Sequence, residues 1–362
     1  VHLGLTSLLE FFDAHREDDA LVLGTVVAIE GSSYRKPGAM MLIAADGQYC
    51  GLISGGCLEA DLSAHADAVF TNGVTSKISY NLSHGDDFAW GLGLGCDGVI
   101  HLMLQRLDAS DSFGFLETLE QAWAAKSAGL LSLVTSSSNP DYVAGSFALN
   151  CGVKFKCGNS VLLKSAHSKE GTMFSSGHDM SRRFWHDSIE TGNRQVEVLL
   201  IPVMPPPALL ICGAGHDALP VARLAVEMGW DCTLVDHRGG FALAERFPEA
   251  CTVLSMQASE LNSNLSLGEF DAAVVMSHHL EYDRHYLQQV SQAGISYIGL
   301  LGPTARKDRL ISEIGIKDIQ IHGPAGLDIG AEMPESIALA IIAEIHAVLN
   351  QRQGDMLSSK TT

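Results

Sequence analysis

The sequence predicts an α/β protein of two domains: an N-terminal α+β domain over residues 1–204, then a doubly wound domain over 205–350 and a polar tail at 351–362. Three observations carry this. A chain of 362 residues is long for a single ordinary core. Four prolines between residues 202 and 207, in IPVMPPPALLICG, interrupt an apolar run and mark a boundary. Beyond them, short apolar strands alternate regularly with helical patterns, the signature of a parallel sheet.

In the first domain, ALVLGTVVAIEG reads as a buried strand. MMLIAADGQYCGLIS reads as a hairpin, with Asp46-Gly47 supplying the positive φ angles of a type I′ turn. SGGC follows, and then Leu58, Leu62, Ala66, Val69 and Phe70 recur at helical spacing. Glu59 and Asp61 suit the first turn of that helix and Gly73 its end, which places Cys57 at a helix N-terminus. KISYNLS and GVIHLMLQRL read as strands, ETLEQAWAAKSAG as a helix, and LLSLVT, SVLLKS and QVEVLLIPV as extended segments.

In the second domain the order is strand ALLIC, glycine turn, helix ALPVARLAVEMG, strand DCTLVD, a variable segment, strand FDAAVVMS, helix, strand SYIGLLG, helix. A last helix starts near Pro334, where proline costs least, and runs through SIALAIIAEIHAVL.

Composition excludes several classes. With 42 acidic against 23 basic residues the net charge is −19, which repels nucleic acid and anionic membrane surfaces. No apolar run approaches the roughly 20 residues of a membrane span. The N-terminus lacks the pattern of a secretory signal, so the expected location is cytoplasmic. Eight cysteines without a C-x-x-C pair suggest reduced thiols, with Cys212 and Cys232 as small hydrophobes in apolar strands.

Four stretches carry candidate chemistry. Gly213-x-Gly215-x-x-Ala218, between a strand and a helix, is the phosphate-cradling turn of a Rossmann-like domain. Asp236, ending the next strand about 20 residues on, is placed to accept a ribose hydroxyl. The other strand ends at the same sheet edge supply His216, His237, Arg238, Ser277, His278, His279 and the basic GPTARKDR, which together suit an anionic ligand. In the first domain, Ser32, Ser33, Arg35 and Lys36 gather hydroxyls and bases in one turn, suited to phosphate or carboxylate. After Gly55 and Gly56, the Cys57 thiol beside unpaired helix-start N–H groups is a candidate soft metal ligand or nucleophile. Cys96, in GLGLGCDG, occupies a second glycine-rich turn.

Taken in order, GSSYRKPGAMML, GLISGGCLEADL, GLGLGCDG, LLICGAGH, YIGLLGP and HGPAGLDIGAEMPESIALAIIAEI resemble the XdhC/CoxI family of molybdenum-hydroxylase accessory proteins. The resemblance covers roughly residues 20–105 and 205–350. It implies a protein that binds molybdenum cofactor (molybdopterin), protects it while its sulfurated form is made, and delivers it to a xanthine dehydrogenase-type apo-enzyme. It further implies work beside a cysteine desulfurase, a homodimer, and a carrier rather than an enzyme. Carried over by motif, Cys57 and the turn at Gly213, Gly215 and His216 are the leading positions, with Cys57 as a molybdenum ligand. This chain departs from the family pattern at Ser277-His278-His279, at Asp97 and Ala325, and at Met333, which removes a helix-capping hydroxyl before Pro334. The Rossmann-like turn leaves two alternatives: an NAD-dependent oxidoreductase with His278 or His279 as proton carrier, and a module that senses NAD or another nucleotide.

Overall fold

The computed structural model describes residues 4–31, 33–56, 58–81, 98–163, 184–191 and 194–359. The chain divides into two compact units, Val1–Pro205 and Pro206–Thr362. No helix among the described residues is long and apolar enough to cross a membrane.

The first unit holds two five-stranded antiparallel sheets. One has the order β3-β2-β1-β5-β4, built from β1 (Ala20–Gly31), β2 (Met40–Ile43), β3 (Tyr49–Gly51), β4 (Ser76–Asn81) and β5 (Gly98–Asp108). The other has the order β8-β7-β6-β10-β9, from β6 (Gly129–Ser137), β7 (Phe147–Cys151), β8 (Phe155–Gly158), β9 (Trp185–Thr191) and β10 (Arg194–Val203). β1 is buried from Ala20 to Val27, and mostly apolar there, because both of its faces are covered. Leu21 and Leu23 enter a core shared with α1 (Leu5–Ala14), α3 (Leu116–Ala124) and the second sheet. Val22 and Val26 face α2 (Glu59–Asn72) through Leu62, Ala66 and Val69. The helix ends as its sequence predicts, at Gly73 with φ 67°.

Two local expectations are corrected. The β2–β3 connection is not a type I′ turn: among residues 44–48 only Gly47 has positive φ, at 84°. Gly47 N–H donates to Ala44 O, Ala44 N–H to Gln48 O, and Asp46 Oδ1 accepts from Gln48 N–H, so a longer loop closed by a left-handed glycine replaces the two-residue turn. The segment SVLLKS is not extended where it is described, because residues 160–163 are helical. Asn159 Oδ1 accepts from Val161 and Leu162 N–H, and this cap overrides the β-branched pattern.

The second unit is a five-stranded parallel sheet of order β13-β12-β11-β14-β15: β11 (Ala208–Cys212), β12 (Asp231–Asp236), β13 (Cys251–Ser255), β14 (Ala272–Val275) and β15 (Tyr297–Leu300). Alternate residues of β11 serve opposite cores. Leu209 and Ile211 pack with α4 (Ala218–Glu227) and α7 (Pro334–Leu349), whereas Leu210 and Cys212 pack with α5 (Leu280–Val290) and α6 (Thr304–Ile314). This is the doubly wound, Rossmann-like arrangement. The missing hydroxyl at Met333 is offset by Ser336, whose Oγ accepts from the N–H groups of Glu332 and Met333, each at 3.1 Å.

Candidate functional site

In the first unit, strand direction gathers the predicted motifs. β1 runs antiparallel to β2 and β5, and β2 antiparallel to β3. The turn after Gly31, the loop after Gly51 and the segment entering β5 at Gly98 therefore leave the sheet at one end. Ser32, Cys57 and Cys96 themselves lie outside the described residues.

Gly51 explains part of the local sequence. At φ 106° a Cβ would lie 2.4 Å from Met40 O, so only glycine lets the chain pass this close to β2. The loop then closes around a carboxylate the sequence reading missed. Glu59 is 1% exposed. Its Oε1 accepts from Ile53 N–H (3.0 Å) and Ser54 N–H (2.8 Å), and its Oε2 from Ser54 Oγ–H (2.7 Å) and Leu58 N–H (3.1 Å). Burial pushes this carboxyl up, but the bonds from the Ser54 N–H and hydroxyl and from Ile53 outweigh it, and the net shift is downward. An ionised Glu59 takes up the Leu58 N–H, one of the helix-start groups expected to stand unpaired. Gly55 and Gly56 are exposed, and among the described residues nothing lies within 4 Å of where a Cβ would be.

In the SSYRK turn, Ser33 Oγ is buried without a hydrogen-bond partner, Arg35 is half-buried, and Lys36 is exposed. Tyr34 stands 66% exposed between them.

In the second unit the strand order reverses between β11 and β14, and the loops leaving these strands form the crevice where open α/β sheets take ligands. Gly213, at φ 123°, packs on the β14 exit: a Cβ would lie 2.6 Å from Met276 O and 2.8 Å from Ser277 Cα. Its N–H donates to Val235 O, and Ala214 N–H to Asp236 Oδ2. Donation to an anion therefore falls to Gly215 and beyond.

Around Gly215 the cradle is partly filled. Asp217, immediately before α4, places Oδ1 2.5 Å from the position a Gly215 Cβ would take, and its Oδ2 lies 2.7 Å from His278 Nε2. His278 holds a left-handed backbone, φ 60°, to make this pair. His216 is exposed and meets Phe241 edge-on at 6.5 Å.

Asp236 has another task than the one expected of it. It is fully buried, and its carboxylate accepts from Ala214 N–H, Arg238 N–H and the Arg238 guanidinium. Burial raises this carboxyl, and the guanidinium and backbone donors more than reverse the effect. A ribose hydroxyl would have to displace Arg238, which also stacks over Phe241 at 4.0 Å. His237 stacks on Tyr282 at 3.5 Å, and burial holds it below the ordinary imidazole range, neutral near pH 7. In GPTARKDR both arginines are paired, while Lys307 only approaches Asp308 at 4.0 Å. Arg306 pairs with buried Asp283, which also holds the Ser277 N–H and hydroxyl, and Arg309 pairs with Glu313 at 2.7 Å. Among the described residues no group of three or more His, Cys, Asp or Glu side chains gathers as a metal site.

Fold and site define a Rossmann-type protein whose cradle is preceded, in a separate α+β unit, by a glycine loop leading to a cysteine. Residues 209–345 match the model of the XdhC Rossmann domain, and residues 14–81 that of the XdhC and CoxI family. Over 358 residues the chain is 31% identical to a probable xanthine dehydrogenase subunit of Bacillus subtilis, covering 95% of this chain and 96% of that one. The chain belongs to the XdhC and CoxI family. It is also 26% identical to the molybdenum cofactor insertion chaperone PaoD of Escherichia coli, over 92% of this chain and 85% of PaoD. The crystal structure of a xanthine dehydrogenase from Bacillus halodurans superposes with a TM-score of 0.76 at 28% identity, covering 98% of this chain and 97% of that one.

Proposed function

We propose that this chain is a carrier and insertion chaperone for molybdenum cofactor, serving a xanthine dehydrogenase-type apo-enzyme beside a cysteine desulfurase, as a cytoplasmic homodimer. The observation that carries the reading is the likeness to PaoD, which extends through both units. The residues proposed for contact in the first unit are Ser32, Ser33, Arg35, Lys36, Gly55, Gly56, Cys57 and Cys96. In the second they are Gly215, His216, His237, Arg238 and His278, with Gly213 shaping the turn and buried Asp236 holding Arg238 in place.

The donor set suits the two ends of the cofactor. Its phosphate calls for backbone N–H groups and bases, and its thiophilic metal for sulfur. The unpartnered Ser33 Oγ and the space over Gly55 and Gly56, open among the described residues, favour the first unit's loop as a contact. Asp217 and His278 have a positioning role: an anion reaching Gly215 must first move the Asp217 carboxylate aside. Once delivered, the cofactor supplies the redox-active centre of the recipient hydroxylase. Against the NAD-dependent alternative stands Arg238, which occupies the carboxylate that a ribose would need.

The test is anaerobic reconstitution with molybdenum cofactor followed by transfer to an apo-hydroxylase. The protein should retain the cofactor and activate the acceptor, and Cys57→Ser should lower retention by about tenfold or more. Failure to capture the cofactor, or NAD-dependent hydride transfer at an enzyme-like rate, would overturn the reading.

A further inference from the structure

We propose that the second unit carries an oxidation-sensitive dithiol, Cys232 with Cys251, which hydroperoxides convert to a disulfide joining β12 and β13. The two residues are direct partners on these parallel strands. Partners in a parallel ladder stand about 4.8 Å apart at Cα, within the roughly 4.4–6.8 Å that a disulfide spans. Their Sγ atoms already lie 3.2 Å apart and share a hydrogen bond. Bond formation asks the sulfurs to close by only about 1 Å, with no change of strand register.

The pair is asymmetric in a way that suits the reaction. Hydrogen bonding to Cys232 lowers the Cys251 thiol against the opposing effect of burial, whereas the same bond, together with burial, raises Cys232. Cys251 is thus the attacking sulfur and Cys232 the resolving one. Cys251 also has the better approach. It opens β13, the edge strand of its sheet, and Glu249, Ala250 and Thr252 around it are exposed. At 7% exposure Cys251 is reached when this short edge frays, by an oxidant hardly larger than water. Cys212 is the contrast: it is fully buried in the central strand β11, and burial pushes its thiol up.

The chemistry balances with hydrogen peroxide as the oxidant. The Cys251 thiolate attacks one peroxide oxygen, the O–O bond breaks, and the departing hydroxide takes up the proton that Cys251 released, leaving a sulfenic acid and one water. The Cys232 sulfur then displaces the sulfenic hydroxyl, which departs as a second water with the Cys232 proton, and the S–S bond forms. The two sulfurs give up two electrons, and the peroxide takes them. The ring so closed runs from Cys232 to Cys251 and includes His237, Arg238 and Phe241, which flank the crevice. Oxidation therefore restrains the loop that carries them.

Peptide mapping of the full chain tests this, after brief exposure to hydrogen peroxide and alkylation of the remaining thiols. Trypsin separates Cys232, in residues 224–238, from Cys251, in residues 247–284, so the disulfide is one linked species that dithiothreitol splits. The native chain should form the link at least about tenfold faster than the chain unfolded in urea, because the fold holds the sulfurs together. Cys232→Ser should leave Cys251 to progress to sulfinic acid, and Cys251→Ser should leave Cys232 reduced. Absence of the linked species from the native protein would overturn the proposal, as would a link that forms no faster in the folded chain than in urea. Should either variant fail to fold, the comparison of native with unfolded wild type still decides.

Discussion

Glu59→Ala is expected to destabilise the first unit by about 3 kcal/mol, because it removes the acceptor of four hydrogen bonds in one step. The N–H groups of Ile53 and Ser54 lie in buried positions and lose this carboxylate, while the Ser54 hydroxyl can still serve Leu58 at 3.1 Å. Glu59→Gln keeps the shape but presents a donor where one of the two accepting oxygens stood, and should cost roughly half as much. The folded-state pKa of Glu59 is depressed, so its contribution is complete above the unfolded value of about 4.3 and is lost as pH falls through the folded value. Urea unfolding at neutral and acidic pH should therefore show a wild-type advantage over Glu59→Gln that shrinks on acidification. An advantage independent of pH would mean that Glu59 has the same pKa folded and unfolded, and one that grows on acidification would mean that the carboxyl is protonated when buried. Because the same bonds shape the loop on both sides of Cys57, a folded Glu59→Gln protein should also lose cofactor retention.

What was legible in the sequence followed from periodicity and backbone chemistry. The β11–α4 turn could be read because Gly213 and Gly215 stand between an apolar strand and an apolar helical stripe, and the doubly wound sheet followed from that alternation. Gly73 and Pro334 marked helix ends for reasons intrinsic to glycine and proline. The charged residues were harder to read, because a carboxylate's role depends on which donors tertiary folding brings to it. Asp236 stood where a ribose acceptor stands, but Arg238, two residues on, folds back onto it. Glu59 looked like a charge placed for the helix dipole, and is instead the buried anchor of the preceding loop. Asp217 and Asp283 gave no pattern at all, since their partners His278 and Arg306 come from other loops. The Asp46-Gly47 pair predicted a two-residue turn, and the Asp46 side chain, accepting from Gln48 N–H, favours the longer loop.

Gly213→Ala is expected to be comparably severe, and it tests whether the crevice is as tightly closed as the geometry requires. Two costs combine at this position. A φ of 123° is poorly accessible to a residue with a side chain, and the new Cβ would meet backbone atoms of Met276 and Ser277 at 2.6 to 2.8 Å. Backbone contacts cannot be relieved by a rotamer change. The loop after β11 and the loop after β14 must therefore separate, which weakens the β11–β14 pairing and moves His278 away from Asp217. A loss of about 3 kcal/mol or more in the unfolding of the second unit should result. Gly240→Ala provides the control, since it has open space and no positive φ, and should stay within about 0.5 kcal/mol of wild type. Equal stability of the two variants would mean that the two loops part freely, and the crevice would then accommodate ligands wider than the close Gly213–Ser277 approach admits.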